Sequence, residues 1–317
     1  MKEKEEKQVV EINKKAKDTF FKLVYESEER RRLLASFLTG LDVNDTKIKN
    51  VKPVLFGNKE NDLAFLCNDT IYFMMEEQSS ICKNIPYRLL EYITTGLRTM
   101  VSSEDSLYGS TRIMFPLPKL YVANVGLERS KEKIPKNVLY DMKLSDSYTR
   151  SNMNIEPDLE LIVHSVDMRM TYDETLEYIE TEKIPNRIID IEKNLKDYAI
   201  LANSLRYVQE SLKNNSDYRK PINISDEASL FILLRDRGVF TDLLSNEEVC
   251  NVTAAQFSRE DIFRSQGKAE GIEEGMDLIN ELNQILIAEK RFDDLARAAN
   301  DKEYQNKLIN DLVLKNK

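Results

Sequence analysis

The sequence predicts an α/β protein in which helices flank a β-sheet and a helical C-terminal region follows. Apolar, β-prone runs that are typical of inner strands occur at residues 63–67, 71–75, 120–125 and 159–166. Between these runs, residues 85–100 carry apolar side chains at helical spacing, as a helix that covers the sheet would. From about residue 172 the helical spacing continues without a comparable series of strand-like runs.

The composition excludes several classes of protein. The chain has 317 residues, of which 41% are hydrophobic and 32% charged, which suits a globular protein with charged helices. Its formal net charge of −9 means that any contact with nucleic acid must use a local basic patch. Three scattered cysteines (67, 82 and 250) form no CxxC motif or disulfide framework, and a single histidine argues against a histidine-rich zinc site.

Neither a signal peptide nor an apolar run of membrane-spanning length is recognisable in the sequence. We therefore expect a cytoplasmic protein with reduced thiols and no membrane association. Four regions are expected along the chain. They are a charged N-terminal arm (1–16), an α/β core (17–170), a helical subdomain (171–265) and a glycine-punctuated linker with a small helical module (266–317).

Two helices are predicted before the sheet. Residues 18–25 place Phe20, Phe21 and Val24 on one apolar face. Ser27 is well placed to cap a second helix, which Gly40 ends. A first strand is then predicted around residues 51–56, within a connector that leads to the central hairpin.

Residues 61–78 are predicted to form a β-hairpin on which the candidate site depends. Asn68-Asp69-Thr70 is a turn sequence between two apolar runs. Because side chains alternate along a strand, Glu76 and Gln78 point to one face of the sheet and Glu77 to the other. A hairpin of this length brings Asp62 alongside Glu76, so that two carboxylates and an amide converge at the edge of an apolar sheet.

Three interpretations of this cluster stay open from the residues alone. A salt bridge or a solvated strand end needs no function. A hard-cation site is the second, because Mg²⁺ is held by one or two carboxylates together with water and phosphate oxygens. A glycosidase-type carboxylate pair is the third, and the absence of tryptophan from the chain weakens it.

The helix predicted at 85–100 has Asn84 as a candidate N-cap and Pro86 in its first turn. Arg88 and Tyr92 lie one turn apart, on a face that the apolar stripe does not occupy. Arg88 is placed either to bind a phosphate or to brace Glu76, since its planar guanidinium binds both groups in bidentate fashion. An ordinary exposed helix arginine is an equally open alternative.

An ordered set of motifs also resembles a known family. The set comprises Lys17-Asp18-x-x-Phe21-Lys22, Asp62, Glu76-x-Gln78-Ser79-Ser80, Pro86-x-Arg88-Leu89-Leu90-x-Tyr92, Leu107-Tyr108-Gly109-Ser110 and Asn154-x-x-Pro157-Asp158-Leu159-Glu160-Leu161. In this order the motifs resemble the Rpn family of recombination-promoting nucleases and transposases, which belongs to the PD-(D/E)XK nuclease superfamily. The resemblance covers most of residues 15–275 and implies a PD-(D/E)XK nuclease-like core, a mixed sheet flanked by helices.

The resemblance implies a Mg²⁺-dependent DNA endonuclease, with Mn²⁺ as a possible substitute, associated with recombination or transposition. It assigns the metal to Asp62, Glu76 and the backbone carbonyl of Glu77, with Gln78 and Arg88 as further catalytic residues. Asp18 and Tyr92 are expected beside the site without binding the ion; for Asp18 a capping role is an equally open alternative. Gln78 stands where the superfamily motif has lysine. That departure keeps open the alternative of a catalytically weak or inactive DNA-binding or regulatory module.

The C-terminal region carries a small amphipathic helical pattern, which is typical of interaction modules. The glycines at 267, 271 and 275 recur every four residues and would line one face of a helix. A flexible helical linker explains this spacing. A self-association surface is the alternative, and with it a homo-oligomer assembled through the C-terminal helical region.

Overall fold

A computed structural model of the chain describes residues 20–51, 55–56, 59–149, 156–212, 224, 226–247, 249–255, 278–279, 281–286, 289, 291, 294, 297–298 and 301–314. The chain divides into two compact units, Met1–Ser258 and Arg259–Lys317. The region predicted as a charged arm (1–16), Asp18 and the glycine-punctuated segment around 267–275 lie outside the described residues. The described helices of the predicted subdomain 171–265 fall in the first unit, together with the sheet.

A six-stranded sheet organises the first unit. Its strands are β1 (Ile48–Asn50), β4 (Leu63–Cys67), β5 (Ile71–Gln78), β6 (Leu117–Asn124), β8 (Leu139–Lys143) and β9 (Ile162–Asp167). They lie in the order β1-β4-β5-β6-β9-β8. The central strands β5, β6 and β9 run parallel, while β1, β4 and β8 pair antiparallel. The predicted mixed sheet flanked by helices is therefore confirmed.

Two short strand pairs lie outside this sheet. One is the antiparallel pair β2 (Leu55–Phe56) and β3 (Lys59–Glu60), and the other is the parallel pair β7 (Leu127–Glu128) and β10 (Met170–Thr171). The prediction of the first strand at 51–56 was wrong in its position, because β1 ends at Asn50; within that range only β2 is a described strand, and it lies outside the main sheet. The edge strand β8 was not anticipated, because its alternating exposed residues carry no continuous apolar run.

Six helices are bounded within the described part of the first unit: α1 (Phe20–Val24), α2 (Glu28–Thr39), α3 (Ile85–Arg98), α4 (Tyr172–Thr181), α5 (Lys193–Leu212) and α6 (Glu227–Asp236). Ser27 caps α2 by accepting a hydrogen bond from the backbone of Arg30, and Gly40 ends it with a left-handed φ of 74°. Both predicted ends of this helix are confirmed. Within the described residues, no helix combines the length and the apolar character that crossing a membrane requires.

Helices cover both faces of the sheet, and strand alternation decides which residues face which layer. Tyr72 and Met74 of β5 point towards α3 and pack with Leu89 and Ile93. The intervening residues of β5 point the other way, into a larger cluster that includes apolar residues of α1, α2, α5 and α6. Helix α5, predicted within a separate subdomain, therefore shares the core of the sheet.

The second unit has a small core of its own, formed by Leu282, Leu286, Ala298, Leu308 and Val313. Helix α7 (Lys302–Leu308) begins at Asp301, which accepts a hydrogen bond from the backbone of Tyr304, and continues as a π-helical turn, Ile309–Leu314. The small amphipathic helical module that the sequence predicts at 266–317 stays a prediction in its bounds.

Gly96 allows α3 to approach the sheet closely. A β-carbon at this position would stand 2.5 Å from the hydroxyl oxygen and 2.8 Å from a ring carbon of Tyr72, whose ring is buried. Helix propensity alone would favour alanine over glycine by about 1 kcal/mol. Steric overlap with a packed ring costs about 1–3 kcal/mol and outweighs that gain.

We therefore predict that Gly96→Ala lowers the free energy of unfolding by about 1 kcal/mol or more, because the packed ring of Tyr72 must move. The measurement is equilibrium unfolding in urea, in which the midpoint should fall while the m-value stays unchanged. Thr94→Ala, at an exposed position of the same helix, is the matched control and should change stability by less than about 0.5 kcal/mol. A stabilised Gly96→Ala variant would contradict the proposed close packing.

Candidate functional site

Polar residues gather at the edge of the sheet where the parallel strands end. Strand pairing sets Gln78 of β5 opposite Asn124 of β6, and Asn124 opposite Asp167 of β9. Asp62 joins the same edge because β4 runs antiparallel to β5 and begins where β5 ends. The carboxyl ends of parallel strands are where ligand sites form in open α/β sheets. The candidate site therefore occupies a position that the topology favours.

Asp62 and Glu76 are joined through their backbone and side chains. The backbone N–H of Asp62 donates to Oε1 of Glu76 at 3.1 Å. In return, the backbone N–H of Glu77 donates to Oδ2 of Asp62 at 2.8 Å. The predicted pairing of Asp62 with Glu76 is confirmed, since the register places Leu63 opposite Met75. The hairpin thus holds two carboxylates side by side, and the Glu76 side chain is only 2% exposed.

Arg88 reaches this pair from helix α3. Its Nη2 donates to Oε2 of Glu76 at 2.7 Å, and its Nη1 donates to Oε1 of Gln78 at 3.2 Å. Nε2 of Gln78 in turn donates to the backbone carbonyl of Glu77 at 2.5 Å. The guanidinium of Arg88 therefore links the Glu76 carboxylate to the Gln78 amide. Gln78 in turn links Arg88 to the backbone at the end of β5. Of the two roles predicted for Arg88, these bonds correspond to the bracing of Glu76.

The environment of Glu76 opposes its ionisation. Burial is the main cause and the nearby charge of Asp62 the second, and together they raise the pKa of Glu76 to about 8. The Arg88 guanidinium, the hydrogen bond from the Asp62 backbone and the charge of Lys22 act in the opposite direction but do not cancel the effect. Glu76 therefore favours its protonated form near neutral pH, and added positive charge beside it would favour the ionised form.

Tyr92 lies beside Arg88, but in a different environment from the one predicted. Its side chain is buried among the residues that pack α3 against the sheet, and not on a polar face of the helix. Its hydroxyl forms a hydrogen bond with Arg88, and burial raises the pKa of Tyr92 above its ordinary value. The prediction that Tyr92 lies on a face outside the apolar stripe was wrong, because the aromatic body packs while the hydroxyl reaches the guanidinium.

Lys22, in the motif Lys17-Asp18-x-x-Phe21-Lys22, is a further member of this neighbourhood. It extends from α1, and its Nζ donates to Oε2 of Glu60 at 2.9 Å. Glu60 precedes Asp62 by two positions, and the charge of Lys22 acts on Glu76. The sequence pattern of α1 does not indicate the contact between Lys22 and Glu60, because that contact depends on how α1 packs against the start of the hairpin. Asp18 lies outside the described residues, so its predicted place stays a prediction.

A second buried polar group continues along the same edge and was also missed. Nδ2 of Asn124 donates to the hydroxyl of Ser165 at 2.8 Å. Asp167 accepts from Arg169, whose guanidinium also donates to Glu128 at 3.1 Å. These groups are buried and satisfy one another, so they fix the carboxyl ends of β6 and β9 beside the candidate site. No sequence motif indicated them, because they come from separate strands and loops.

The donor set fits a hard cation in chemical type. Asp62 and Glu76 offer carboxylate oxygens and Glu77 a backbone carbonyl, which are the ligands that Mg²⁺ and Mn²⁺ prefer. A cation bound here would have to displace the proton that burial and the charge of Asp62 favour on Glu76. Among the described residues, no group of three or more histidine, cysteine, aspartate or glutamate side chains is arranged to hold a metal. A metal here would therefore rely on the two carboxylates, the carbonyl and ligands from water or substrate.

Comparisons with protein-family models, with curated proteins and with solved structures each gave no match to this chain.

The raised pKa of Glu76 predicts a pH dependence of stability. The folded state holds a proton up to about pH 8, whereas the unfolded state releases it near the ordinary value of 4.5. The stabilisation from this difference is complete below the unfolded pKa and is lost as the pH rises through the folded pKa. We predict that the free energy of unfolding of the wild-type protein falls from about pH 5 to about pH 8, relative to Glu76→Gln.

The measurement is urea unfolding across this range, with a chelator present so that divalent cations do not contribute. The glutamine variant is the matched comparison, because its amide keeps the shape of the side chain and does not titrate. Parallel pH profiles for the two proteins would contradict a raised pKa at this position.

Proposed function

We propose that this protein is a metal-dependent DNA endonuclease that hydrolyses phosphodiester bonds, with a PD-(D/E)XK nuclease-like core, associated with recombination or transposition. The observation that carries the proposal is the convergence of Asp62, Glu76, Gln78 and Arg88 at one edge of the sheet. The ordered set of motifs that resembles the Rpn family includes these four positions. Residues that were chosen for their motif therefore also lie in hydrogen-bonding contact in the folded chain.

In the proposed site, Mg²⁺ would be held by Asp62, Glu76 and the carbonyl of Glu77, and Mn²⁺ would be accepted in its place. Such an ion, when bound, polarises a phosphate and lowers the pKa of a coordinated water. The protein's own contribution is to keep the two carboxylates together. The backbone of Asp62 fixes one oxygen of Glu76, while Arg88 fixes the other and limits the repulsion between the acids.

Gln78 and Arg88 supply the remaining polar contacts in this proposal. The amide of Gln78 uses one N–H and one lone pair in its observed bonds, and it retains a further donor and acceptor with which to orient a water. Arg88 has five N–H donors and retains some for the oxygens of a phosphate. Lys22 adds a positive charge near the carboxylates, which the neutral Gln78 does not provide.

DNA would have to approach a molecule whose formal net charge is −9. Local cations are therefore essential to the proposal, because neutralisation of phosphates supplies most non-specific affinity. Lys83 is exposed on the loop that leads into α3, five positions before Arg88. Together with Arg88 and Lys22 it would give the edge of the sheet a basic margin beside the acidic pair.

A catalytically weak or inactive DNA-binding or regulatory module is the second candidate, and one observation favours it. Both carboxylate oxygens of Glu76 already accept hydrogen bonds, one from the Asp62 backbone and one from Arg88. An arginine that satisfies the acid takes over part of the role of a metal ion. The replacement of the motif lysine by Gln78 points in the same direction.

Nicking of supercoiled plasmid by the purified protein separates the two candidates. We predict nicking in Mg²⁺ or Mn²⁺ that falls at least about a hundredfold in Asp62→Asn, because one of the two carboxylates that hold the ion is lost. Asp69→Asn is the matched control. Asp69 lies at the opposite end of the same hairpin with a side chain that is 70% exposed, and asparagine tolerates its positive φ.

Metal-dependent nicking by the wild-type protein and the Asp69→Asn control, with loss in Asp62→Asn, is the expected result. Equal nicking by all three proteins would place the activity elsewhere and contradict the proposed site. DNA retention without nicking in either metal would contradict the endonuclease and favour the binding module.

A further inference from the structure

A separate cavity of about 800 Å³ lies among the loops that follow β7 and α4. Two segments that line it carry the same tetrapeptide, Glu-Lys-Ile-Pro, at residues 132–135 and at residues 182–185. The volume falls in the range of pockets that enclose small molecules. None of the residues that line the cavity belongs to the candidate nuclease site.

The Ile-Pro pairs of the two tetrapeptides form apolar walls of the cavity. Ile134 is buried, and Ile184 packs against the main hydrophobic core, so each Ile-Pro pair is fixed by the fold. The prolines that follow restrict their own backbone and remove an N–H donor. These walls are therefore preformed and expose apolar atoms beside the polar rim, as ligand pockets generally do.

The charges around the cavity leave an excess of positive charge. Glu174 is neutralised by Arg187, whose Nη1 donates to it at 2.8 Å, and Glu177 by Lys183, whose Nζ lies 2.5 Å from its carboxylate. Among the residues that the structure describes, Lys131 and Lys136 have no ion pair or hydrogen bond from their side chains. Both lie on the loop that forms one wall, where Glu132 is the carboxylate between them.

Arg187 also lines the cavity. Its Nε is buried and has no hydrogen-bond partner among the described residues. Its other nitrogens are in use, since Nη1 contacts Glu174 and Nη2 contacts the backbone carbonyl of Arg169. Because Nε is not accessible to solvent, Arg187 contributes to the cavity through the positive charge of its guanidinium, which it shares with Glu174.

We propose that this cavity binds a small phosphomonoester whose dianionic group lies between Lys131, Lys136 and Arg187 while its organic part contacts the Ile-Pro walls. A phosphomonoester carries close to two negative charges at neutral pH and three acceptor oxygens, which match the charges and the N–H donors of the two unpaired lysines. Two sources carry this group: a free organic phosphate and the phosphorylated end of a nucleic acid. The proposal does not depend on nuclease activity.

The test is titration of the full-length protein with phenyl phosphate. Binding is measured by calorimetry and by changes in the backbone NMR signals of residues 131–136 and 183–187. Inorganic phosphate is titrated in parallel, and a short DNA strand is compared with and without a 5′-phosphate. Variant Lys131→Gln/Lys136→Gln removes the rim charges at exposed positions. Variant Lys47→Gln/Lys143→Gln, at exposed positions away from the lining, is the matched control.

We expect saturable binding of phenyl phosphate, tighter than that of inorganic phosphate because of the apolar walls, with signal changes confined to the two loops. The Lys131→Gln/Lys136→Gln variant should weaken it about tenfold, whereas the control should leave it unchanged. Binding of only the 5′-phosphorylated strand, with no competition from phenyl phosphate, would overturn the small-molecule part of the proposal. Absence of saturable binding, or equal weakening in the control, would overturn the site itself.

Discussion

The carboxylate of Glu76, buried at the end of a central strand, is the group on which the arrangement of this edge depends. A buried charge of this kind is costly unless neighbouring groups compensate for it. Here the compensation comes from the backbone of Asp62 on one side and from the guanidinium of Arg88 on the other. These two contacts tie the hairpin to helix α3 and fix where β4 must begin relative to the end of β5.

The compensation is incomplete, and the proposed metal site depends on this feature. Asp62 places a second negative charge beside Glu76, and the pKa of Glu76 is raised to about 8 even with Arg88 in contact. A structural ion pair would be served better without the second acid. Two adjacent carboxylates are, by contrast, a ligand set that Mg²⁺ commonly uses. In the proposed metal site, Arg88 and Lys22 would limit the repulsion between the acids while the cation is absent.

Much of this site followed from local sequence, because the hairpin and the strand alternation determine which side chains share a face. The pairing of Asp62 with Glu76 was predictable for that reason. Tyr92 was placed wrongly, because helical spacing gives the faces of a helix but not how far a tyrosine ring enters the core. The roles of Lys22 and Arg169 were not predicted, because Lys22 contacts Glu60 and Arg169 contacts Glu128, and each pair is far apart in the chain. Only the packing of α1, and the positions of the ends of β7 and β9, bring these pairs together.

Calorimetric titration of Mn²⁺ into the purified protein tests the central claim most directly, because it needs no substrate and no turnover. The account predicts one saturable site per chain in the wild-type protein and in Asp69→Asn, and loss of that site in Asp62→Asn. It also predicts that binding weakens below about pH 8, where protons compete for Glu76. Absence of a saturable site in the wild-type protein at about pH 8, or an unchanged site in Asp62→Asn, would contradict the account and leave the Glu76–Arg88 contact as a structural ion pair.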